Sequence, residues 1–202
     1  GGGTVTNAQI DTISGFENFV FGDDDNVFQG DDSNGATVQG GAGDDVIDLT
    51  ANTSTDTVTF EAAANNGEDT LLNFSEGAAN SDILDFSNVS TSGATDFDNN
   101  DSVPDLNDFK VVAVTDGNSD ALAANSMIAG YIDALVSFGG AGTDTGAEDT
   151  VILYDDGTDT GIFHFDGTND DNMTVEADDL TLIGVVDSAG DATSFVAGNV
   201  MV

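Results

Sequence analysis

Carboxylates are the groups with which this chain could do chemistry. Of its 202 residues 39 are Asp or Glu, against one basic side chain, Lys110, and one histidine, His164, for a formal net charge of −38. Carboxylate pairs occur everywhere, so spacing singles out no glycosidase-like pair. His164 stands between Phe163 and Phe165 in an apolar run and reads as a strand histidine. The sequence contains neither a Gly-x-Ser-x-Gly elbow nor a His-Glu-x-x-His pair. Gly139-Gly140-Ala141-Gly142 lacks the Lys of a phosphate loop, and the Thr143-Asp144 that follows suits a cation-binding turn better. The expectation is therefore a protein that is not an enzyme. Without cysteine and with one histidine the chain cannot build a thiolate or imidazole metal site. Carboxylates and main-chain carbonyls instead suit a hard cation, and calcium is the natural candidate, in several copies.

The charge excludes other partners. Nucleic acid and anionic membrane surfaces are recognised through Lys and Arg, so neither is expected here. Self-repulsion of so many carboxylates opposes compaction, which divalent cations relieve where the charge is densest. No apolar run approaches the roughly 18 residues of a membrane span, and residues 1 to 20 lack the basic start and apolar stretch of a signal peptide. Gly1-Gly2-Gly3 reads like the end of a preceding repeat, so the chain is expected to be a portion of something longer.

The elements that must position the carboxylates follow from a repeat. Gly40-Gly41-Ala42-Gly43-Asp44-Asp45-Val46-Ile47-Asp48 fits every specified position of the nonapeptide G-G-x-G-x-D-x-U-x, where U is a large apolar residue. Gly22 to Phe28 and Gly30 to Val38 are degraded versions at similar spacing. Asp before a short apolar pair recurs at Asp25, Asp45, Asp56, Asp69, Asp82 and Asp149. These read as turn-to-strand junctions: glycines permit the tight turn and the apolar residue fills a narrow core.

The fold class expected is all-β, with a short calcium-binding parallel β-roll or β-solenoid over residues 1–60. Residues 61–104 either continue the solenoid or supply connecting strands. Residues 105–202 form a β-rich carboxyl-terminal domain with one helix. In that last part Phe109 to Val114 is a strand. Ser119 could cap a helix running to about Val136, with Ile128, Tyr131, Ile132, Leu135 and Val136 on one face. Thr150 to Tyr154 and Gly161 to Phe165 flank a turn-rich segment and read as a hairpin, Leu180 to Val186 gives a final strand, and Asp96 to Asp108 reads as a linker or long loop.

Two acidic loops lie outside the repeat. Asp96-Phe97-Asp98-Asn99-Asn100-Asp101 opens like an EF-hand but has Asp101 where the glycine belongs and Asn107 where the closing glutamate belongs, so an EF-hand is rejected. Asp155, Asp156 and Asp159, and Asp166-Gly167-Thr168-Asn169-Asp170 beyond them, fit either an ion or ordinary solvated turns.

On the nonapeptide at Gly40 to Asp48 the sequence resembles the RTX repeats of proteins exported by bacterial type I secretion. The resemblance implies a parallel β-roll with calcium between turns stacked on the same side. It implies ligation by the Asp45 carboxylate and the main chain around Gly41 and Gly43, facing Gly22, Asp23 and Asp25 of the matching turn. Asp32, Asn34 and Asp56 would play the equivalent part on the opposite edge. Asp69, Asp156 and Asp159 complete the candidate metal set. The run from Asp69 to Phe86, the hairpin at Tyr154-Asp155-Asp156-Gly157 and the ending Asp178 to Gly184 resemble the carboxyl-terminal regions of such exported proteins, whose secretion signals are uncleaved and carboxyl-terminal. The function so implied is that of a secreted structural protein. It would fold on calcium outside a bacterial cell and self-assemble into a surface layer, matrix or filament, with no insertion into the membrane. The alternative is a calcium-dependent export and folding module at the end of a larger adhesin or hydrolase.

Overall fold

A computed structural model describes residues 17–30, 34–50, 54–77, 81–91, 95–98, 104, 106, 109–115, 122–124, 126–136, 149–166, 174–187 and 194–202. Among the expected features, Gly1 to Gly3, Asp32, Gly139 to Asp144, Asn99 to Asp101 and residues 167–170 lie outside the described residues.

The first half of the chain is written in three-residue words. β1 (Asn18–Val20), β2 (Val27–Gln29), β3 (Thr37–Gln39), β4 (Val46–Asp48) and β5 (Thr57–Thr59) each turn the middle residue inward. Period-2 alternation makes this unavoidable: one inward side chain per strand, two outward. Strands so short cannot stand alone, and their stability comes from stacking. Alternate strands join alternate sheets. Sheet 1 runs β1-β3-β5-β7-β13 and sheet 2 begins β2-β4-β6, where β6 is Asp69–Leu72, β7 is Ile83–Asp85 and β13 is Val200–Met201. All these pairings are parallel.

The register repeats every turn pair. Asn18 pairs with Thr37, Val27 with Val46 and Thr37 with Thr57, and then the step lengthens, Val46 pairing with Thr70 and Thr57 with Ile83. The added residues fall in the connections, where a 3-10 turn at Ala63–Asn65 follows β5. The inward residues form two apolar rows, Phe19, Val38, Val58, Leu84 and Val200 in sheet 1, and Phe28, Ile47, Leu71 and Val186 in sheet 2. Each large side chain buried there is worth about 1.5–3 kcal/mol. Phe60 stacks on Phe86 at 5.0 Å and Phe74 on Phe195 at 5.6 Å, closing the space between the sheets.

Sheet 2 continues without a break into the second half. β12 (Leu180–Val186) pairs parallel with β6, then β11 (Thr160–Phe165), β10 (Thr150–Asp155), β9 (Phe109–Thr115) and β8 (Thr95–Asp98) follow in order. The hairpin expected from Thr150 to Phe165 is present, with Thr150 opposite Phe165 and Asp155 opposite Thr160. β10 and β11 are buried along their whole length because both faces are covered. One face joins the core between the sheets, and the other joins a second core that includes Val112, Ile152, Tyr154 and Phe163.

The helix α1 (Ser126–Leu135) covers that second core with Ile128 and Ile132, and Tyr131 and Leu135 pack at its margin. It begins later than Ser119. Leu122, expected within the helix, instead packs as a non-helical residue against the second core near Gly161. The expected linker at Asp96 to Asp108 is also corrected: its first residues belong to β8, paired in parallel with β9, where Phe97 packs against the core between the sheets. The carboxyl terminus returns to the first half, β13 closing sheet 1 on β7.

Candidate metal centre

Between strands, the chain turns at two edges. The edge leading into sheet 2 carries Asp25-Asn26 before β2, Asp44-Asp45 before β4, and Glu68 before β6 with Asp69 as its first residue. The register therefore stacks Asn26 on Asp45 on Asp69, and beside them Asp25 on Asp44 on Glu68. The expected pairing of Asp25 with Asp45 is thus shifted by one residue, since the chain between β2 and β4 advances 19 residues rather than two nonapeptides plus two.

The two columns are bonded in opposite directions. In the inner one the lower carboxylate caps the amide above: Asn26 N–H donates to Asp45 Oδ1 at 2.7 Å and Asp45 N–H to Asp69 Oδ1 at 3.1 Å. In the outer one the upper carboxylate caps the amide below: Asp44 N–H donates to Asp25 Oδ1 at 3.1 Å and Glu68 N–H to Asp44 Oδ1 at 3.0 Å. Glycine is required where the turns touch. Gly41 has φ +98°, and a Cβ there would run into the Gly22 carbonyl; Gly67 has φ +80° and stands in the same way on the Gly43 carbonyl.

The inner column is overcharged. Asp45 and Asp69 are each 2% exposed. Asp45 Oδ2 and both carboxylate oxygens of Glu61 are buried without a hydrogen-bond partner. Burial pushes Asp69 up to about 8, with the charges of Asp45 and Glu61 adding to it. Burial raises Asp45 as well, and Glu61, which also feels Asp45; Gln39 and the Gly41 main chain oppose the Glu61 shift without reaching hydrogen-bonding geometry. Gly40 leaves the room this needs, since a Cβ on it would run into Asp45 Oδ2 and come to 3.3 Å from Asp69 Oδ2. A buried carboxylate without a partner is costly, and three together require a proton or a cation. Among the described residues no three acidic or histidine side chains converge as a metal shell by themselves. In the stacked turns the Gly22 carbonyl lies against Gly41 and the Gly43 carbonyl against Gly67.

Asn66 was not legible as a site residue. It is fully buried, accepts from Glu61 N–H at 2.9 Å, and donates to the Ile183 carbonyl at 2.7 Å and to Asp69 Oδ2 at 3.2 Å. It thereby joins the acidic cluster to β12. Its sequence signal was only an Asn-Gly pair, which reads as a turn.

The opposite edge leads into sheet 1. Ala36 N–H donates to Asp56 Oδ1 at 2.6 Å and Asp56 N–H to Asp82 Oδ1 at 2.8 Å, while Asp82 Oδ2 takes the Ser75 N–H at 2.8 Å. Asn199 ends this column, donating to the Asp82 carbonyl at 2.8 Å and accepting from Val196 and Gly77. Burial pushes Asp82 up to about 6. Asn34, expected on this edge, is exposed and stands at the turn before Asp56's partner Ala36.

The remaining candidates are placed as follows. Gly22 and Asp23 are exposed in the first turn, and Gly43 is buried against the Asp24 and Asp25 backbone. Asp156 Oδ1 accepts from Thr158 and Asp159 N–H at 2.8 and 2.9 Å, and Asp155 Oδ1 from Gly157 N–H at 2.8 Å, so these carboxylates build the hairpin turn. His164 Nε2 lies 3.1 Å from the Ser90 carbonyl, while the Ser90 hydroxyl donates to Asp149 at 2.7 Å. The imidazole thus meets the serine's main chain, not its hydroxyl. No family model, no curated protein and no solved structure matches this chain. No helix among the described residues is long and apolar enough to cross a membrane.

Proposed function

We propose that this is a secreted, calcium-binding structural protein, built as a short parallel β-roll passing into a β-rich carboxyl-terminal part. It folds on calcium outside the cell and assembles with its own copies. The observation that carries the reading is the layer of Asp45, Glu61 and Asp69: three buried carboxylates, three of whose oxygens have no hydrogen-bond partner. A chain of net charge −38 has almost no cation of its own to place there. Calcium suits the donor set, taking six to eight oxygens in flexible geometry from carboxylates and main-chain carbonyls. Asp45 would hold the ion from the turn above, and Glu61 and Asp69 from the turn below.

Binding and folding are then one equilibrium, because the layer exists only when the turns are stacked. Extracellular modules bind calcium at roughly 0.1–1 mM, so the chain would remain unfolded and exportable inside a cell. The resemblance of Gly40 to Asp48 to RTX repeats supports the same reading. The test is circular dichroism with light scattering through a calcium titration, magnesium serving as control. Disorder in chelator, β-structure at sub-millimolar to millimolar calcium and growth in mass are expected. Folding without growth would favour the export and folding module instead, and a fold indifferent to calcium would overturn the metal assignment.

A further inference from the structure

The two ends of sheet 1 are complementary. Thr37 N–H donates to the Glu17 carbonyl at 2.6 Å and Phe21 N–H to the Gln39 carbonyl at 2.9 Å, which leaves the N–H and C=O of Asn18 and Val20 directed away from β3. At the other end Phe86 N–H donates to the Met201 carbonyl at 2.7 Å, which leaves those of Val200 and Val202 directed away from β7. Among the described residues no strand pairs with either outer edge.

The side chains match as well. The register carries one outward column from Val20 through Gln39, Thr59 and Asp85 to Met201. Its interior members are polar, and its end members are exposed large apolar residues, Val20 at 72% and Met201 at 45%. Of the four exposed large apolar side chains among the described residues, three lie on end strands, Val20, Val27 and Met201, and one on the helix. The inward row likewise ends in half-buried Phe19 and Val200, each covered by a strand on one side only.

We infer that β1 of a second copy of this chain adds to β13, continuing sheet 1 in parallel with Val20 of one copy on Met201 of the next. The new pair repeats what β3 does beneath β1. The Val20 N–H meets the Val200 carbonyl, the Val202 N–H meets the Val20 carbonyl, and Phe19 falls under Val200 in the inward row. Side-chain phase and hydrogen-bond phase are satisfied by one register, whereas a slip of one residue would turn Phe19 outward. The contact joins unlike surfaces, so it does not end at a pair, and it extends into filaments where the rotation from copy to copy does not close a ring. The acidic surface repels any other approach, and the unpaired edges are where attraction is left. This inference rests on the self-assembly part of the function proposed above.

The chain has no cysteine, so a disulfide can report the register. Val20→Cys/Met201→Cys, in the full chain, is expected to oxidise into covalent ladders of many copies. Val27→Cys/Met201→Cys, whose first site lies at the same end on the other sheet, is expected to stay largely monomeric. Val20→Asp/Met201→Asp is expected to keep its circular dichroism and lose growth in mass by tenfold or more. Ladders absent from a folded chain, or equal ladders from both cysteine pairs, would overturn the edge pairing. Oxidation is run in calcium and in chelator with circular dichroism alongside, so a fold indifferent to calcium refutes the metal reading separately.

Discussion

At both edges of the body a carboxylate at the turn-to-strand junction accepts an amide from the turn stacked before it, Asp45 and Asp69 on one side, Asp56 and Asp82 on the other. The edge feeding sheet 1 completes the device: the second oxygen of Asp82 takes the Ser75 amide, and Asn199 ends the column with neutral donors. The edge feeding sheet 2 leaves the second oxygen of Asp45 empty and adds Glu61, whose two oxygens are also empty. The same sequence signature, Asp before an apolar pair, therefore serves two ends. One edge is a hydrogen-bond cap, and the other carries surplus charge that calls for a proton or a cation.

The largest test of this difference is pH dependence in chelator, with an osmolyte added in this and every chelated measurement below to hold the otherwise disordered chain folded. Asp69 is held near 8 and Asp82 near 6, both above their ordinary value of 3.8. A raised carboxyl pKa means that the folded state holds the proton more tightly. The associated stability is fully present below about pH 4 and is lost as pH rises through the folded value. Each tenfold difference in proton affinity between the folded and unfolded chain is worth about 1.4 kcal/mol, so the loss expected between about pH 4 and pH 9 is on the order of several kcal/mol. The part above about pH 6 belongs to Asp69. Denaturant unfolding across that range, with and without calcium, separates the edges: calcium replaces the proton at the sheet 2 edge and removes the upper step, while the Asp82 step remains. An upper step unchanged by calcium would place the ion elsewhere.

Next in size is Asp82→Ala. Its carboxylate caps the amides of Asp56 and Ser75, and an uncapped buried amide costs about 1–3 kcal/mol. A loss of about 3 kcal/mol is expected, equal in calcium and in chelator, with the calcium midpoint of the wild-type protein retained once stability is corrected for. A loss present in only one of the two conditions would mean that this edge also holds the ion.

The extent to which these edges could be read from sequence follows from what local pattern encodes. The three-residue strands around Phe28, Val38, Ile47 and Val58 were legible because each apolar centre lies beside a Gly or Asp turn, and the hairpin from Thr150 to Phe165 because its turn residues are dense. Register was less so. Asp25 and Asp45 look equivalent in the motif, yet the strand pairing sets Asp25 beside Asp44, a matter of one residue that no local signal fixes. Glu61 and Asn66 were invisible as site residues. They belong to a turn without the nonapeptide, and they matter only because that turn stacks below Gly40 and Gly41 and beside β12. The return of Val200 and Met201 to β7 is likewise a long-range pairing, which a short apolar tail does not announce.

The smallest effect, and the sharpest, is expected from Glu61→Gln, because its sign should depend on the cation. In chelator the wild-type side chain adds a buried charge beside Asp45 and Asp69, and all three are raised by burial. An amide removes that repulsion and can donate to Asp45 Oδ2, so the chelated protein should gain about 1 kcal/mol, comparable to one hydrogen bond. In calcium the same amide supplies one weaker neutral oxygen in place of a carboxylate, and calcium affinity is set by ligand charge. A weakening of roughly tenfold is expected, about 1.4 kcal/mol, measured by calorimetric titration with urea unfolding in parallel. The two curves of stability, wild type and variant, should therefore cross as calcium is raised. A structural role for Glu61 would lower both, a bystander would move neither, and only a carboxylate that repels its neighbours until an ion arrives gives opposite signs.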